Sequence, residues 1–423
     1  MDSEMLMTQK PQPNNDNYEA RFHQVELELN SILEITQAIN NNEPEQSLYK
    51  IYMFILRGNL RVERLALYVL DEQWNCKVNF GTKANFNHVE LETTAFESVY
   101  DLSEMAKLSF ENHDFYEFDL VIPVLHKDRV LAYVFVNQYF SGSSFQEKVD
   151  IRFVQALTNI IIVAIENKKL VRRQLRQEAF KKEMEIAKKV QSNLFPKKLP
   201  YNKNVKIKAT YFPHDLIGGD YYDYISVDKK QFIICIADVS GKGIPAALLM
   251  SNFQATLRTL IRQTSDLKQI VSELNHLIYD NAQGEHFITC FIALYDKSKH
   301  TLTYINAGHN PAFLFNFKNN VQLLLDSGTT VLGAFSPLPF LKETTINGLS
   351  NFFLFNYTDG VTEVINPENE QFGHERLESF LTTRKKIELG EIHGNLIARI
   401  NNFKKSEKFV DDITLLSCRV EYD

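Results

Sequence analysis

Four groups of acidic residues in the second half of this 423-residue chain lie directly against apolar runs. Asp238 closes the run Ile233-Ile234-Cys235-Ile236-Ala237. Asp220 follows Gly218 and Gly219, where bare backbone can approach an ion closely. Asp359 follows Phe353-Leu354-Phe355-Asn356-Tyr357-Thr358 and precedes Gly360. Asp411 and Asp412 precede Ile413-Thr414-Leu415-Leu416. Taken singly, such an acid caps a helix or orders a turn, and Asp-Gly after a strand is ordinarily a turn. The shared placement carries more. Two carboxylates about 5 Å apart repel by roughly 3 kcal/mol at an effective dielectric near 20. Several such pairs would consume much of a stability of about 5–15 kcal/mol. If these groups converge, they need a bound cation, or raised pKa values and disorder without one. An oxygen-only donor set favours Mg²⁺ or Mn²⁺ over Zn²⁺.

The elements that would position these acids can be read from spacing. Residues 233–236 suit a strand buried on both faces. Ser240-Gly241-Lys242-Gly243 then makes a turn, and Pro245 suits the first turn of a helix over 245–264. The spacing GxxxxGK[ST] is missing, so this turn is not a nucleotide P-loop. Leu267, Ile270, Val271, Leu274, Leu277 and Ile278 share one face of a second helix, 267–283. Strands are predicted over 287–295, 301–306, 312–317, 322–325, 351–357 and 413–420. Mostly antiparallel strands with helices grouped together predict an α+β layered fold.

The first half is organised differently. Residues 1–18 are polar, with Pro11 and Pro13, and read as a disordered tail. Helices follow, one through Leu29, Ile32, Leu33 and Ile39 and one over 45–60. Strands are expected over 65–70, 76–80, 120–125 and 130–137, the last two joined by a polar turn at His126-Lys127-Asp128-Arg129. A helical pattern then runs over 146–194, longer than a globular helix normally is. Its charged middle cannot bury a core by itself. Ala164, Leu175 and Ile186 recur every eleven residues, as do Ala179 and Val190, which keeps one seam facing a partner helix. A coiled-coil linker over 168–197 that makes a homodimer is expected, against the simpler reading of a single solvated spacer. Pro196 and Pro200 end it.

Composition narrows the class. A net charge of -7 gives no footprint for nucleic acid or an anionic membrane. Four widely spaced cysteines have no metal-ligand spacing and read as buried small residues in a reducing cytosol. The N-terminus has no signal-peptide apolar region and no run is long enough to span a bilayer. A cytoplasmic protein is expected.

The ordered segments Ile217-Gly218-Gly219-Asp220-Tyr221-Tyr222-Asp223, Ala237-Asp238-Val239-Ser240-Gly241-Lys242-Gly243-Ile244-Pro245, Asn306-Ala307-Gly308-His309-Asn310-Pro311, Tyr357-Thr358-Asp359-Gly360-Val361-Thr362-Glu363 and Asp411-Asp412-Ile413-Thr414 resemble the SpoIIE/RsbU group of bacterial PPM (type 2C) serine/threonine phosphatases. Residues 187–196 resemble the segment that precedes the catalytic domain in that group. The resemblance implies a β-sandwich flanked by helices over 198–423 and a two-metal site holding Mn²⁺ or Mg²⁺. Asp220 would bridge both ions, Asp238 and the Val239 carbonyl would serve the first, and Asp359 and Asp411 the second. Gly219 and Asp412 would support them. Hydrolysis would proceed without a covalent enzyme intermediate, and the substrate would be a phosphorylated STAS-type anti-sigma-factor antagonist. The histidine and arginine used by eukaryotic relatives are missing: Ser240 stands two places after Asp238, and residues 211–216 contain no arginine. Leaving-group protonation and phosphate capture stay unassigned. Lys242 could touch phosphate or be a solvated turn residue, and His309 could be structural or functional. The element order over 19–167 resembles a GAF sensor domain, with no residue that identifies a ligand. The competing reading is a catalytically silent scaffold that binds a phosphoprotein or ligand.

Overall fold

The computed structural model describes residues 15–86, 100–101, 115, 117–126, 129–137, 150–386 and 388–422. The chain forms two compact units, Met1–Gln177 and Glu178–Asp423. Residues 1–14 of the expected tail lie outside the described residues, whereas residues 15–18 are already helical.

The first unit begins with helices α1 (Asn15–Asn40) and α2 (Glu45–Phe54). The latter continues as a π-helical turn, Ile55–Asn59. Strands β1 (Leu65–Leu70), β2 (Trp74–Phe80), β3 (Tyr100–Asp101), β4 (Leu120–His126) and β5 (Arg129–Val136) form one antiparallel sheet in the order β2-β1-β5-β4-β3. Strand side chains alternate between faces, so Leu65, Leu67 and Val69 meet a helical core with Tyr52, Val154 and Ile161. Ala66 and Tyr68 meet an aromatic cluster of Phe86, Phe115 and Phe135 on the other face. Helix α3 (Ile151–Ser192) is 42 residues long. Its Leu175, Phe180, Ile186 and Val190 are exposed.

The second unit is two sheets face to face with helices outside each. Strands β7 (Tyr221–Ser226), β8 (Gln231–Val239), β9 (Ile288–Asp296), β10 (Thr301–Ala307), β13 (Gly328–Thr329) and β14 (Thr344–Ile346) make the first sheet. The second has β6 (Val205–Phe212), β11 (Ala312–Asn316), β12 (Val321–Leu325), β15 (Asn351–Tyr357) and β16 (Ile413–Glu421). The apolar run expected to be buried on both faces is β8. Its Phe232, Ile234 and Ile236 fill the core between the sheets with Phe291, Leu354 and Leu416. Its Ile233, Cys235, Ala237 and Val239 pack against Phe253 and Leu257 of α4 (Gly243–Gln263) and Ile270 and Leu274 of α5 (Leu267–Ala282). Asp266 caps α5, accepting from the Lys268 and Gln269 amides.

Two further helices, α6 (Gly373–Arg384) and α7 (Leu389–Lys404), cover the outer face of the second sheet. Sequence reading stopped at two helices in this half. Leu389, Ile392, Leu396 and Ile400 do carry helical spacing and are buried. Gly390 and Gly394 lower the intrinsic propensity of that segment, and packing on Phe353 and Phe355 restores the balance.

Candidate active site

Strand register brings the acids to one rim. Tyr221 pairs with Ala237 across β7 and β8, so Asp220 and Asp238 occupy neighbouring positions at one sheet end. Tyr357 pairs with Leu415 across β15 and β16 in the facing sheet, which sets Thr358-Asp359 beside Asp411-Asp412. Asp220 joins the two sheets. It is 1% exposed and its Oδ2 accepts from the hydroxyls of Thr358 (2.8 Å) and Thr414. The two threonines are themselves linked, since the Thr414 amide donates to Thr358 Oγ1 at 2.9 Å.

The electrostatics follow from that crowding. Burial and then the Asp238 charge push the Asp220 carboxyl well above the ordinary carboxylate range. Asp238 rises to about 8, through burial and then the charges of Asp359 and Asp411. Asp359 rises to about 6 through burial, Glu363 and Asp411. Asp238 thus lies beside Asp220 and within electrostatic reach of Asp359 and Asp411 around one rim.

Asp411 and Asp412 divide the work. Asp411 Oδ2 lies 2.8 Å from Lys242 Nζ, which also donates to the Val410 carbonyl at 2.5 Å. Lys242 is therefore an ion-pair partner within the acid group. Asp412 accepts from the backbone amides of His214 (2.7 Å), Gly219 (2.8 Å) and Asp220 (3.4 Å). Its oxygens fix the turn that carries Asp220. At Gly219 a Cβ would lie 2.9 Å from the Val239 carbonyl oxygen, and at Gly360 one would lie 1.9 Å from the Asp412 carbonyl. Both glycines are demanded by close backbone approach.

Two residues singled out earlier serve the framework. His309 is 6% exposed, with Nδ1 2.8 Å from Thr289 Oγ1 and its amide on Asn306 Oδ1 at 2.7 Å. Burial pushes its imidazole down to about 4, which favours the neutral ring. It braces Thr289, the β9 partner of Asp238. Ser240 Oγ accepts from the Phe287 amide at 2.9 Å.

Three features were missed in the sequence. Thr358 and Thr414 lie in quoted motifs but were read only as neighbours of acids. Asp223 is fully buried and points away from the rim: Arg258 of α4 clamps it with Nε–Oδ2 2.8 Å and Nη2–Oδ1 2.9 Å, and the Tyr221 hydroxyl donates to it. The third is Gln191, at the end of α3, whose side chain reaches Gly218.

The donors present fit a divalent, oxygen-preferring cation. They are carboxylates with one carbonyl beside them, and part of the excess negative charge is held in check by one ammonium. Among the described residues, no three acidic, imidazole or thiol side chains already surround a single point. Asp220 and Asp238 stand as neighbours at one sheet end and Asp411 stands in an ion pair. Deprotonating the raised carboxyls and displacing Lys242 would free Asp220, Asp238, Asp359 and Asp411 for ions.

Residues 228–421 match the model of the family described as Stage II sporulation protein E (SpoIIE). The phosphoserine phosphatase RsbU of Bacillus subtilis is 36% identical over 187 residues, covering 44% of this chain and 55% of that protein. Protein IcfG of a Synechocystis species is 30% identical over 283 residues, covering 59% of this chain and 43% of that protein. The chain thus spans about half the length of the curated relatives it matches. The SiaA-PP2C domain of Pseudomonas aeruginosa shares the fold with a TM-score of 0.51 at 17% identity, covering 59% of this chain and 99% of that one. The sandwich and its acidic rim thus lie in a unit that matches the SpoIIE model over 228–421 and shares the fold of the SiaA-PP2C domain.

Proposed function

We propose that the second unit is a Mn²⁺- or Mg²⁺-dependent phosphatase for phosphoserine or phosphothreonine in a protein substrate. The observation that carries this reading is the meeting of Asp220, Asp238, Asp359 and Asp411, from four separate segments, at one rim of the sandwich. Asp220 and Asp238, with the Val239 carbonyl, would hold one ion, and Asp359 and Asp411 a second. Two such ions supply charge for a phosphoryl oxygen and acidify water near neutral pH. The chain's own contribution is positioning. Thr358 and Thr414 orient Asp220, Asp412 holds its turn, and the Asp223–Arg258 pair ties α4 to β7. Such fixed charge acts without reorganising during the reaction.

The natural substrate class is a phosphorylated STAS-type anti-sigma-factor antagonist, as the family resemblance implies, and the relative RsbU is named a phosphoserine phosphatase. The first unit acts as a GAF-like sensor over 19–167 and α3 as a dimerising linker over 168–197, within a cytoplasmic protein. Among the described residues no helix is long and apolar enough to cross a membrane. The exposed apolar residues of α3 support the dimer. The test is phosphate release from a phosphoserine peptide and from para-nitrophenyl phosphate with Mn²⁺. Activity that disappears in Asp359→Asn supports the enzyme. No release from wild-type protein at any metal concentration leaves the binding-scaffold reading.

A further inference from the structure

Gln191 is 8% exposed, an unusual depth for a long polar side chain on a helix whose preceding turns are largely exposed. Its Nε2 donates to the Gly218 carbonyl at 2.7 Å, and its Oε1 faces the Gly218 amide at 3.4 Å. One side-chain amide thus spans the peptide groups on either side of a single residue. Gly218 is two residues before Asp220, in the turn whose next amides bind Asp412. The turn is held on one side by a strand-end acid and on the other by the last turn of α3.

The exit of α3 adds contacts of a different kind. The Phe195 ring sits 5.2 Å from that of Tyr211, 5.9 Å from that of Tyr221 and 5.0 Å from that of Tyr222, between centroids. Tyr221 and Tyr222 directly follow Asp220. Gln254 of α4 donates to the Leu194 carbonyl at 3.2 Å. The same helix end therefore touches the turn before Asp220, the strand after it and the helix after Asp238. A Cβ at position 218 would lie 2.0 Å from Asp412 Oδ2, so the turn cannot accommodate a side chain while the clamp is closed.

We infer that Gln191 is a positioning residue for the acidic site: its side-chain amide sets the Gly218-Gly219 turn that aims Asp220. The last turn of α3 is then a working part of the site, although it lies upstream of residue 198, where the sequence places the start of the domain. The inference rests on the metal-dependent reading above. Its consequence is specific. Without the amide, the turn samples other conformations and Asp220 must be ordered when a cation binds, which weakens affinity without removing a ligand.

The test uses the full chain with Gln191→Leu, which keeps the side chain's bulk and helix propensity, beside wild type and Gln254→Ala. Mn²⁺ binding is measured by isothermal titration, the Mn²⁺ dependence of phosphate release by kinetics, and amide exchange over residues 215–222 in chelator. The expected result for Gln191→Leu is a dissociation constant for Mn²⁺ raised about tenfold, as loss of a buried hydrogen bond implies. The half-saturating Mn²⁺ for hydrolysis rises by the same factor, the rate recovers at high Mn²⁺, and exchange quickens over 215–222. Gln254→Ala, which leaves Gly218 bonded, gives a smaller shift. Equal Mn²⁺ affinity and equal exchange in Gln191→Leu and wild type overturn the inference alone. A rate loss that high Mn²⁺ does not repair, with broadened melting, assigns Gln191 to stability and also overturns it. If wild type itself binds no Mn²⁺, the metal reading fails, and unchanged exchange over 215–222 then removes the positioning role as well.

Discussion

Asp238 and Asp223 sit on adjacent strands, yet their chemistry is opposite because their counter-charges differ. Asp223 is fully buried with Arg258 in bidentate contact. Removing one partner of a buried pair strands the other charge, at about 3–5 kcal/mol. Arg258→Met should therefore lower the urea stability of the second unit by that order, which equilibrium unfolding followed by tryptophan-independent far-UV signal would measure. Asp238 has acids around it, and its folded-state pKa lies near 8, above the ordinary value near 4. The sign follows from linkage. A raised carboxyl binds more protons folded than unfolded, so its contribution is full below the unfolded pKa and is lost as pH rises towards 8. In chelator, the urea midpoint should fall between pH 5 and pH 8.5, and saturating Mn²⁺ should flatten that fall. A midpoint independent of pH and of Mn²⁺ would remove the acidic cluster from the stability account. Asp359→Asn removes one charge from the cluster. It should raise metal-free stability at pH 8 while cutting phosphate release by a factor on the order of 10² or more.

At the scale of elements, the turn between β8 and α4 and the end of α3 do the positioning. Helix α4 is tied to β7 through Arg258–Asp223 and to the exit of α3 through Gln254. A shift of this helix would be felt at both Asp238 and Asp220. Helix α3 presents Leu175 and Ile186 to solvent, 59% and 65% exposed. Isolated helices are marginal in water unless they pair. A peptide covering residues 151–198 should sediment as a dimer and lose both helicity and association when Leu175 and Ile186 become Asp. A helical monomer in the parent peptide would assign α3 the spacer role instead. Proline at Arg176 breaks the ladder of hydrogen bonds in mid-helix. It should separate the response to the first unit's signal from basal phosphate release, measured as the ratio of the two rates.

Across the whole molecule, what was legible in the sequence depended on whether the cause was local. The continuous apolar run of β8 and the apolar face of α5 are local, and residues 233–236 and 267–282 fold as their patterns predict. The acids declared themselves by type and by position, beside apolar runs or after paired glycines. Helices α6 and α7 were missed because Gly390 and Gly394 weaken a pattern that only packing against Phe353 and Phe355 completes. The family match spans residues 228–421 and so begins after Gly218 and Gln191. What the sequence by itself determined is the chemistry available: oxygen donors, glycines where backbone must approach, and the strands that end beside them. Tertiary structure alone decided how the acids divide. Register between two facing sheets set Asp220 on Thr358 and Thr414, turned Asp223 to Arg258, and gave Asp412 to backbone amides. Those partners lie 35 to 194 residues away along the chain, and no local pattern encodes a pairing whose free energy exists only once both sheets have closed.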